Sequence, residues 1–486
     1  MHIKRLICLQ ELSFFLYRMK RKNRRFSSMK KDGDTSKTTI WGYGAFGFGA
    51  NCLGGILGSF LTLYLTDNLF LSAAFIAAMM LVGRIANACM EFLCGVIMDR
   101  MHSKKGKARP WMLWTALGTA LPVFMVFNTP AGLGDLGTKI WVIVSYMLHI
   151  AVFGAAISIA YSTLLVKITS NPNVRVKMTN LSHLLGQVGA LIASSYGIPI
   201  LMYFGGYQKG YRGMSFIFCT VGFIGMLLTG IICKEEPENV EAMLEEERRK
   251  IEEKKNQLPL KESLGYVFTN KYAFPLLSMY VLYNFAAMLL GSVTVYYMRD
   301  VMGHAEYMTQ ISYAKIIPII LVGAIGLVPM ASRKFGKKTA LMAGAIALMT
   351  GFVIIAFAPV SLAAVMVGNA FVGIGTAFYG ALMGASIADV ADYVNRKNKV
   401  DVSGTVSSVA YMGMRIGMAF GSVGITVLLE LGHYDAEAAN AGLSQAASMI
   451  TMEKVGYIYI PLICYALLVL ISKFMDVDKA IAKLEA

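Results

Sequence analysis

This chain of 486 residues lacks, first, any constellation that would carry out chemistry. It has no nucleophile elbow, no phosphate-binding glycine loop and no histidine or cysteine spacing suited to a metal, so an enzyme is not expected. Seven cysteines (8, 52, 89, 94, 219, 233 and 464) are scattered, six of them in or at the ends of apolar stretches. They read as small packing residues rather than a disulfide set. Charge is also scarce, at 15% of residues, and lopsided, with 29 acidic against 45 basic side chains. On a soluble chain the net +16 would suggest nucleic acid. Here the basic residues have no domain to sit on, so no nucleic-acid partner is expected.

What the chain has instead is apolar length. Hydrophobic residues make up 56% and the mean hydropathy is +0.57, above the roughly 45–50% of soluble proteins. A helix needs about 20 apolar residues to cross a bilayer. Twelve such spans are predicted, at 40–66, 71–98, 111–129, 140–169, 179–202, 214–233, 273–298, 307–331, 339–358, 360–387, 405–430 and 455–472. The expected fold is all-α and membrane-spanning, with lipid as a partner and both termini on one side. Counting Lys and Arg gives 35 in the termini and the even-numbered connections against five in the odd-numbered ones. The positive-inside bias then makes both termini cytoplasmic and the expected location a cytoplasmic membrane. Trp41, Trp111 and Trp141 fall at span ends and read as interface anchors.

Composition divides the chain. Residues 1–39 form a basic tail without a small-residue cleavage site, and Met29 offers a second start, so residues 1–28 read as an over-extended frame or a tail. Residues 40–233 form one six-span half, 234–264 a charged linker, 265–472 the second half and 473–486 a terminal tail. "GVIMDRMHSKKGKARPW" follows the second span and "ASRKFGKKTAL" follows the eighth, a repeat signal that fits a transporter with its site between halves. Within the first of these turns, Asp99, Arg100, Lys107 and Arg109 are candidates for ion pairs that close the cytoplasmic side. Positive-inside charge alone accounts for them equally well. "GIGTAFYG" is no dinucleotide loop, because no strand precedes it and no acidic ribose partner follows.

The informative polar residues lie inside the spans. Arg84, Asn87 and Glu91 are three and four residues apart and share one helix face. A charge at bilayer depth costs from about 3 to over 10 kcal/mol, so that face should line the bundle interior. Arg84 and Glu91 are separated by about two turns, too far for easy pairing, and Glu91 is expected to meet Lys167, Lys315 or Arg415. Glu91 reads either as a protonatable coupling site or as a structural ion pair. Arg415 either fixes helices across the cavity or touches substrate, and Lys315 either serves the site or snorkels. His149 and His183 read as packing. Asn284 is a candidate for an interhelical hydrogen bond, while Tyr43, Phe46, Tyr64, Tyr161 and Tyr283 either pack or stack on a substrate ring.

In order and spacing, "YGAFGFG" (43–49), "YLTD" (64–67), "RIANACMEFLCG" (84–95), "KKGKARPW" (104–111), "LYNF" (282–285), "VYYMRDVMG" (295–303) and "ADVADYVNRK" (388–397) cover nearly the whole chain from residue 41. In them the chain resembles the glycoside-pentoside-hexuronide:cation symporters, the melibiose-permease-like branch of the major facilitator superfamily. The resemblance implies twelve helices in two halves, alternating access, and uptake of a sugar or glycoside with Na+, H+ or Li+. It also implies site positions. Asn87 and Glu91 stand where the family usually has two cation-binding aspartates. Gly49 replaces a sugar-binding aspartate, Ser158 and Ser162 replace an aspartate and a tryptophan, Asn395 a glutamate, and Arg415 a lysine. These departures weaken the case for Na+, which wants several charged oxygens, and leave the cavity electropositive, which suits an anion such as a uronide. The expected function is import of a small-molecule sugar, glycoside or hexuronide, with no cofactor and with H+ favoured over Na+ as coupling ion. An uncoupled facilitator or organic-anion carrier is the alternative, ahead of a receptor or scaffold. The oligomeric state is left open, and a monomer is compatible with the sequence.

Overall fold

The computed structural model describes residues 36–100, 108–169, 171–235, 260–400 and 402–485. The linker proposed at 234–264 therefore lies largely outside the described residues. Among these residues eleven helices are long and apolar enough to cross a membrane, and a bent pair makes twelve when it is counted as one span. We number them α1 (Lys37–Leu63), α2 (Ala73–Arg100), α3 (Ala108–Phe127), α4 (Gly134–Met147 and Gly154–Ile168 joined by a π turn, Leu148–Phe153), α5 (Pro172–Tyr203) and α6 (Tyr207–Ile232). The second half holds α7 (Ala273–Tyr296), α8 (Tyr307–Ile325), α9 (Lys337–Phe357), α10 (Leu362–Asn398), α11 (Ser403–Gly432) and α12 (Ala447–Lys454 and Ile460–Ser472 joined by a π turn, Val455–Tyr459).

The two halves repeat one packing scheme. Helices α1 and α5 pack together, as do α7 and α11; α1 meets α6 as α7 meets α12; α3 meets α6 as α9 meets α12. Between lipid-embedded helices there is little hydrophobic drive, so close approach depends on small residues. A Cβ on Gly47 would lie 2.1 Å from the Ser182 carbonyl oxygen, and one on Gly417 2.3 Å from that of Val281, which fixes α1 on α5 and α11 on α7.

Several predicted spans have different ends. The eighth, expected to run to residue 331, stops at Ile325 because Gly326 adopts φ +71°, and a short helix (Leu327–Phe335) leaves at 60°. The fifth and tenth continue beyond their apolar runs. In α10 the last turns are polar but still helical, with Arg396 bonded to Asp392 at 2.8 Å and the helix capped by Lys399 in the left-handed region. Hydropathy marks where the lipid ends, and backbone hydrogen bonding carries the helix past that point.

The ends of α1 and α7 also correspond. Each runs into a π turn, Tyr64–Asn68 (YLTDN) and Tyr297–Val301 (YMRDV). These turns place Asp67 and Arg299 opposite one another at the end of the molecule away from the termini.

Candidate functional site

Between the halves lies a cavity of about 560 Å³. Its first-half wall comes from α1 (Asn51 to Leu61), α2 (Met80, Arg84), α4 (Tyr146, His149, Ile150) and α5 (Gln187 to Ser194). Its second-half wall includes Asn284 and Ser292 from α7, Lys315 from α8, Asn369 from α10, Met418 from α11 and Tyr457 from α12.

At the end away from the termini the halves are locked together. Asp67, whose side chain is 8% exposed, pairs with Arg299 Nη1. Arg299 also grips Asp300 in bidentate fashion, Nε to Oδ1 at 2.7 Å and Nη2 to Oδ2 at 2.8 Å, and donates from Nη2 to the Tyr434 hydroxyl at 2.7 Å. Tyr434 in turn donates to Asp67 Oδ1 at 2.7 Å, and burial pushes its phenol well above the ordinary range, so it remains a donor. Thr66 bonds both Asp67 (2.7 Å) and the Tyr296 hydroxyl (3.1 Å). Further in, Ser292 Oγ donates to the Gly58 carbonyl at 2.9 Å, and Thr309 Oγ1 donates to that of Ser195.

Nearer the membrane middle the two halves meet again. Arg415 of α11 pairs through Nη2 with Glu91 of α2, and its Nη1 donates to Asn87 Oδ1 at 3.2 Å. Asn87 Nδ2 donates to the Ile150 carbonyl at 2.7 Å, which hooks α2 onto the π turn of α4. One carboxylate, one amide and one guanidinium therefore join three helices across the interface. Protonating Glu91 would remove the charge that holds Arg415.

The sequence-predicted residues divide into three groups. Arg84, Asn284 and Lys315 line the cavity, and Asn87, Glu91 and Arg415 form the cluster beside it. Asn284 Nδ2 donates along its own helix to the Tyr280 carbonyl at 2.9 Å. The other residues expected in the cavity wall are not there. Gly49 faces α6, where a Cβ would meet the Gly222 carbonyl oxygen at 2.6 Å, so the position is set by helix contact rather than by substrate. Tyr161 is sandwiched at 4.2 Å from the Tyr43 ring and 3.8 Å from that of Phe46, and its hydroxyl donates to Ser182, fastening α4 to α1 and α5. Ser158 and Ser162 are exposed one turn apart on α4 outside the wall, with Ser162 Oγ donating to the Ser158 carbonyl at 3.0 Å. Asn395 holds the turn between α10 and α11, donating to Ser403 Oγ at 2.7 Å and accepting from the Val402 amide at 2.9 Å.

The turn expected to close the cytoplasmic side lies only partly among the described residues. Lys107 and the side chains of Asp99 and Arg100 lie outside the described residues. Arg109 bonds within its own half: its amide donates to Glu235 and its Nε to the Gly230 carbonyl at 2.9 Å, tying α3 to α6. The matching turn does likewise, with Lys337 reaching Asp389 at 2.5 Å.

Sequence reasoning missed two features. The lock around Asp67 could have been found from the repeated Tyr-X-X-Asp at the ends of the first and seventh spans. His149 was read as packing, yet it lines the cavity, and its Nδ1 lies 2.9 Å from the Thr119 carbonyl, a contact in which Nδ1 donates. Only the π turn, which hydropathy does not reveal, brings it there.

Comparison with known proteins agrees with this architecture. The profile of the MFS/sugar transport protein family matches residues 42–479. The chain belongs to this family. It is 25% identical over 450 residues to the isoprimeverose transporter of Lactiplantibacillus pentosus, covering 91% of this chain and 89% of that one. It is 23% identical over 439 residues to the putative glycoside/cation symporter YagG of Escherichia coli K12, covering 88% of each. Among solved structures, the nucleoside transporter NupG superposes with a TM-score of 0.58 at 15% identity, over 91% of this chain and 99% of that one. That likeness shows the fold, a major facilitator fold of two six-helix halves. Family and relatives are transporters, and the chain is an integral membrane transporter rather than an enzyme.

Proposed function

We propose that this chain is a secondary active importer of a sugar or glycoside, working by alternating access in a cytoplasmic membrane with both termini inside, and driven by protons through Glu91. The sugar class rests on the family profile and on the printed activities of the relatives. The orientation rests on the distribution of Lys and Arg between the two sets of connections.

The observation that carries the coupling is the Glu91–Arg415 pair between the halves. In this orientation the Asp67–Arg299 lock faces outside, and the structure is the state with its outer gate shut. A sodium ion at Glu91 would need several oxygen ligands, and there a guanidinium already occupies both the carboxylate and the Asn87 oxygen. A proton needs only the carboxylate. Its arrival would neutralise Glu91, release Arg415 and loosen α2 from α11; its loss would restore the pair. The coupling is then a competition between a proton and an arginine for one carboxylate.

The same pair favours one second reading. A carboxylate kept permanently neutralised by Arg415 would leave an uncoupled facilitator. Proteoliposomes loaded at equal pH and then given an inward proton gradient, or an inward Na+ gradient, separate the two with a panel of radiolabelled glycosides. Accumulation above the external concentration under the proton gradient alone is expected; equal final levels with and without either gradient would establish facilitation.

A further inference from the structure

Beside the lock sits a buried acid that none of its bonds accounts for. Glu453, on the first segment of α12 (Ala447–Lys454), is 1% exposed, and neither of its carboxyl oxygens makes a hydrogen bond among the described residues. That segment packs against α11 and against the π turn that ends α7. From the π turn, Asp300 and Arg299 act electrostatically on Glu453, Asp300 without the geometry of a hydrogen bond. Tyr297 of the same turn also feels its charge and donates to the Pro359 carbonyl at 2.5 Å. From α11, Tyr434 is bonded to Arg299, while Glu430 and His433 are exposed. Within α12, Lys454 is half-buried, Tyr459 is exposed and the Tyr457 hydroxyl accepts from Asn369 at 3.1 Å.

The cation of the lock is committed elsewhere. Arg299 directs Nε and Nη2 to Asp300, Nη1 to Asp67 and Nη2 also to Tyr434. A carboxyl group buried without a counter-ion or a donor takes up a proton rather than keep its charge, and two neighbouring carboxylates do not both stay ionised. Asp300, gripped by Arg299, keeps the charge, so Glu453 keeps the proton. When the halves part, Asp67 leaves Arg299, the freed Nη1 becomes available to Glu453, and water reaches the turn. A glutamate in water titrates near about pH 4.3, so in the open gate the proton is lost.

We propose that Glu453 is a proton-binding site of the outer gate, holding a proton while the Asp67–Arg299 lock is shut and releasing it to the outer water when the lock opens. The proton returns to the side it came from, so this site sets the gate and drives no uptake. The inference rests on the orientation given above and is independent of coupling through Glu91. Because the shut state binds one proton more than the open state, acid outside favours closure and alkali outside favours opening, by up to about tenfold in their ratio per pH unit.

The test is the rate at which a cysteine at Ser292 reacts with a membrane-impermeant maleimide in right-side-out membrane vesicles holding the full-length protein. External pH is stepped from about 6 to about 8 at constant internal pH, across the range in which the linkage acts. Every protein carries Glu91→Gln, so that this carboxylate contributes no titration, and each rate is divided by that of glutathione at the same pH. The parent is expected to label at least about tenfold faster at the alkaline end. Glu453→Gln, which mimics the protonated acid, should stay slow and flat across the range. Glu453→Met, neutral without an amide, should do the same and decides the matter where the glutamine variant does not fold. Neutral variants that label fast at every pH, as Arg299→Gln should, would show Glu453 ionised within the lock and overturn the assignment. A parent rate indifferent to external pH, or a rise that the neutral variants keep in full, would overturn it as well. Uphill uptake through Glu91 is measured separately and stands or falls on its own.

Discussion

Two of the places where the halves of this carrier bond to each other, the lock around Asp67 and the cluster at Glu91, are built on opposite plans. At the lock around Asp67, the carboxylate accepts from Arg299, Tyr434 and Thr66, and Arg299 is gripped by two carboxylates, so several bonds share the closure. At the middle cluster, Glu91 and Arg415 form a single ion pair steadied by one amide. The first arrangement tolerates the loss of one bond, whereas the second, under the proposed coupling, would change state on the arrival of one proton. A gate has to stay shut while the other side is open, and a coupling site has to be breakable by the ion it senses.

That contrast can be broken at its strongest point first. Arg299→Gln leaves Asp67 and Asp300 buried without their cation, a change that costs about 3–5 kcal/mol for a buried pair. The outer gate should open: a cysteine placed at Ser292, which is 5% exposed in the shut state, should react with a membrane-impermeant maleimide from outside in the Arg299→Gln background and stay protected in its absence. Protection in both would show that the lock does not carry the closure. Tyr434→Phe should act in the same direction but less strongly, by about 1.5–3 kcal/mol for one hydrogen bond to a charged group, visible as partial labelling of the same cysteine. Asn87→Ala tests the other cluster and should be the mildest. Its bond to Arg415 is long, at 3.2 Å, and a net loss of about 1 kcal/mol predicts an approximately fivefold change in the proton concentration needed for half-maximal uptake. A change of about a hundredfold would mean that Asn87 is itself a ligand of the coupling ion.

Much of this was legible in the sequence for physical reasons. Twelve apolar runs must be helices, because backbone groups in lipid have to bond within their own segment. The spacing of Arg84, Asn87 and Glu91 placed them on one face before any coordinates. Three cations were equally available to Glu91, and only the packing of α2 against α11 brings Arg415 to it. Gly49 looked like a site residue stripped of its side chain, whereas a glycine chosen for helix contact is identical in sequence and is recognised only once Gly222 lies against it. Tyr161 shows the same ambiguity for aromatic rings: stacking on a ligand and stacking on Tyr43 and Phe46 use the same face. The breaks at Gly326 and in the π turns are local backbone events within apolar runs, where hydropathy is uniform.

The central claim, that Glu91 carries the coupling and Arg415 competes with the proton for it, is tested most directly by uphill uptake in Glu91→Gln. With an imposed inward proton gradient, wild-type proteoliposomes should concentrate the transported glycoside severalfold over the medium, whereas Glu91→Gln should stop at equal concentrations while still exchanging substrate down a gradient. A Glu91→Gln protein that concentrates substrate as wild type does would place the coupling elsewhere and reduce the Glu91–Arg415 pair to a structural tie.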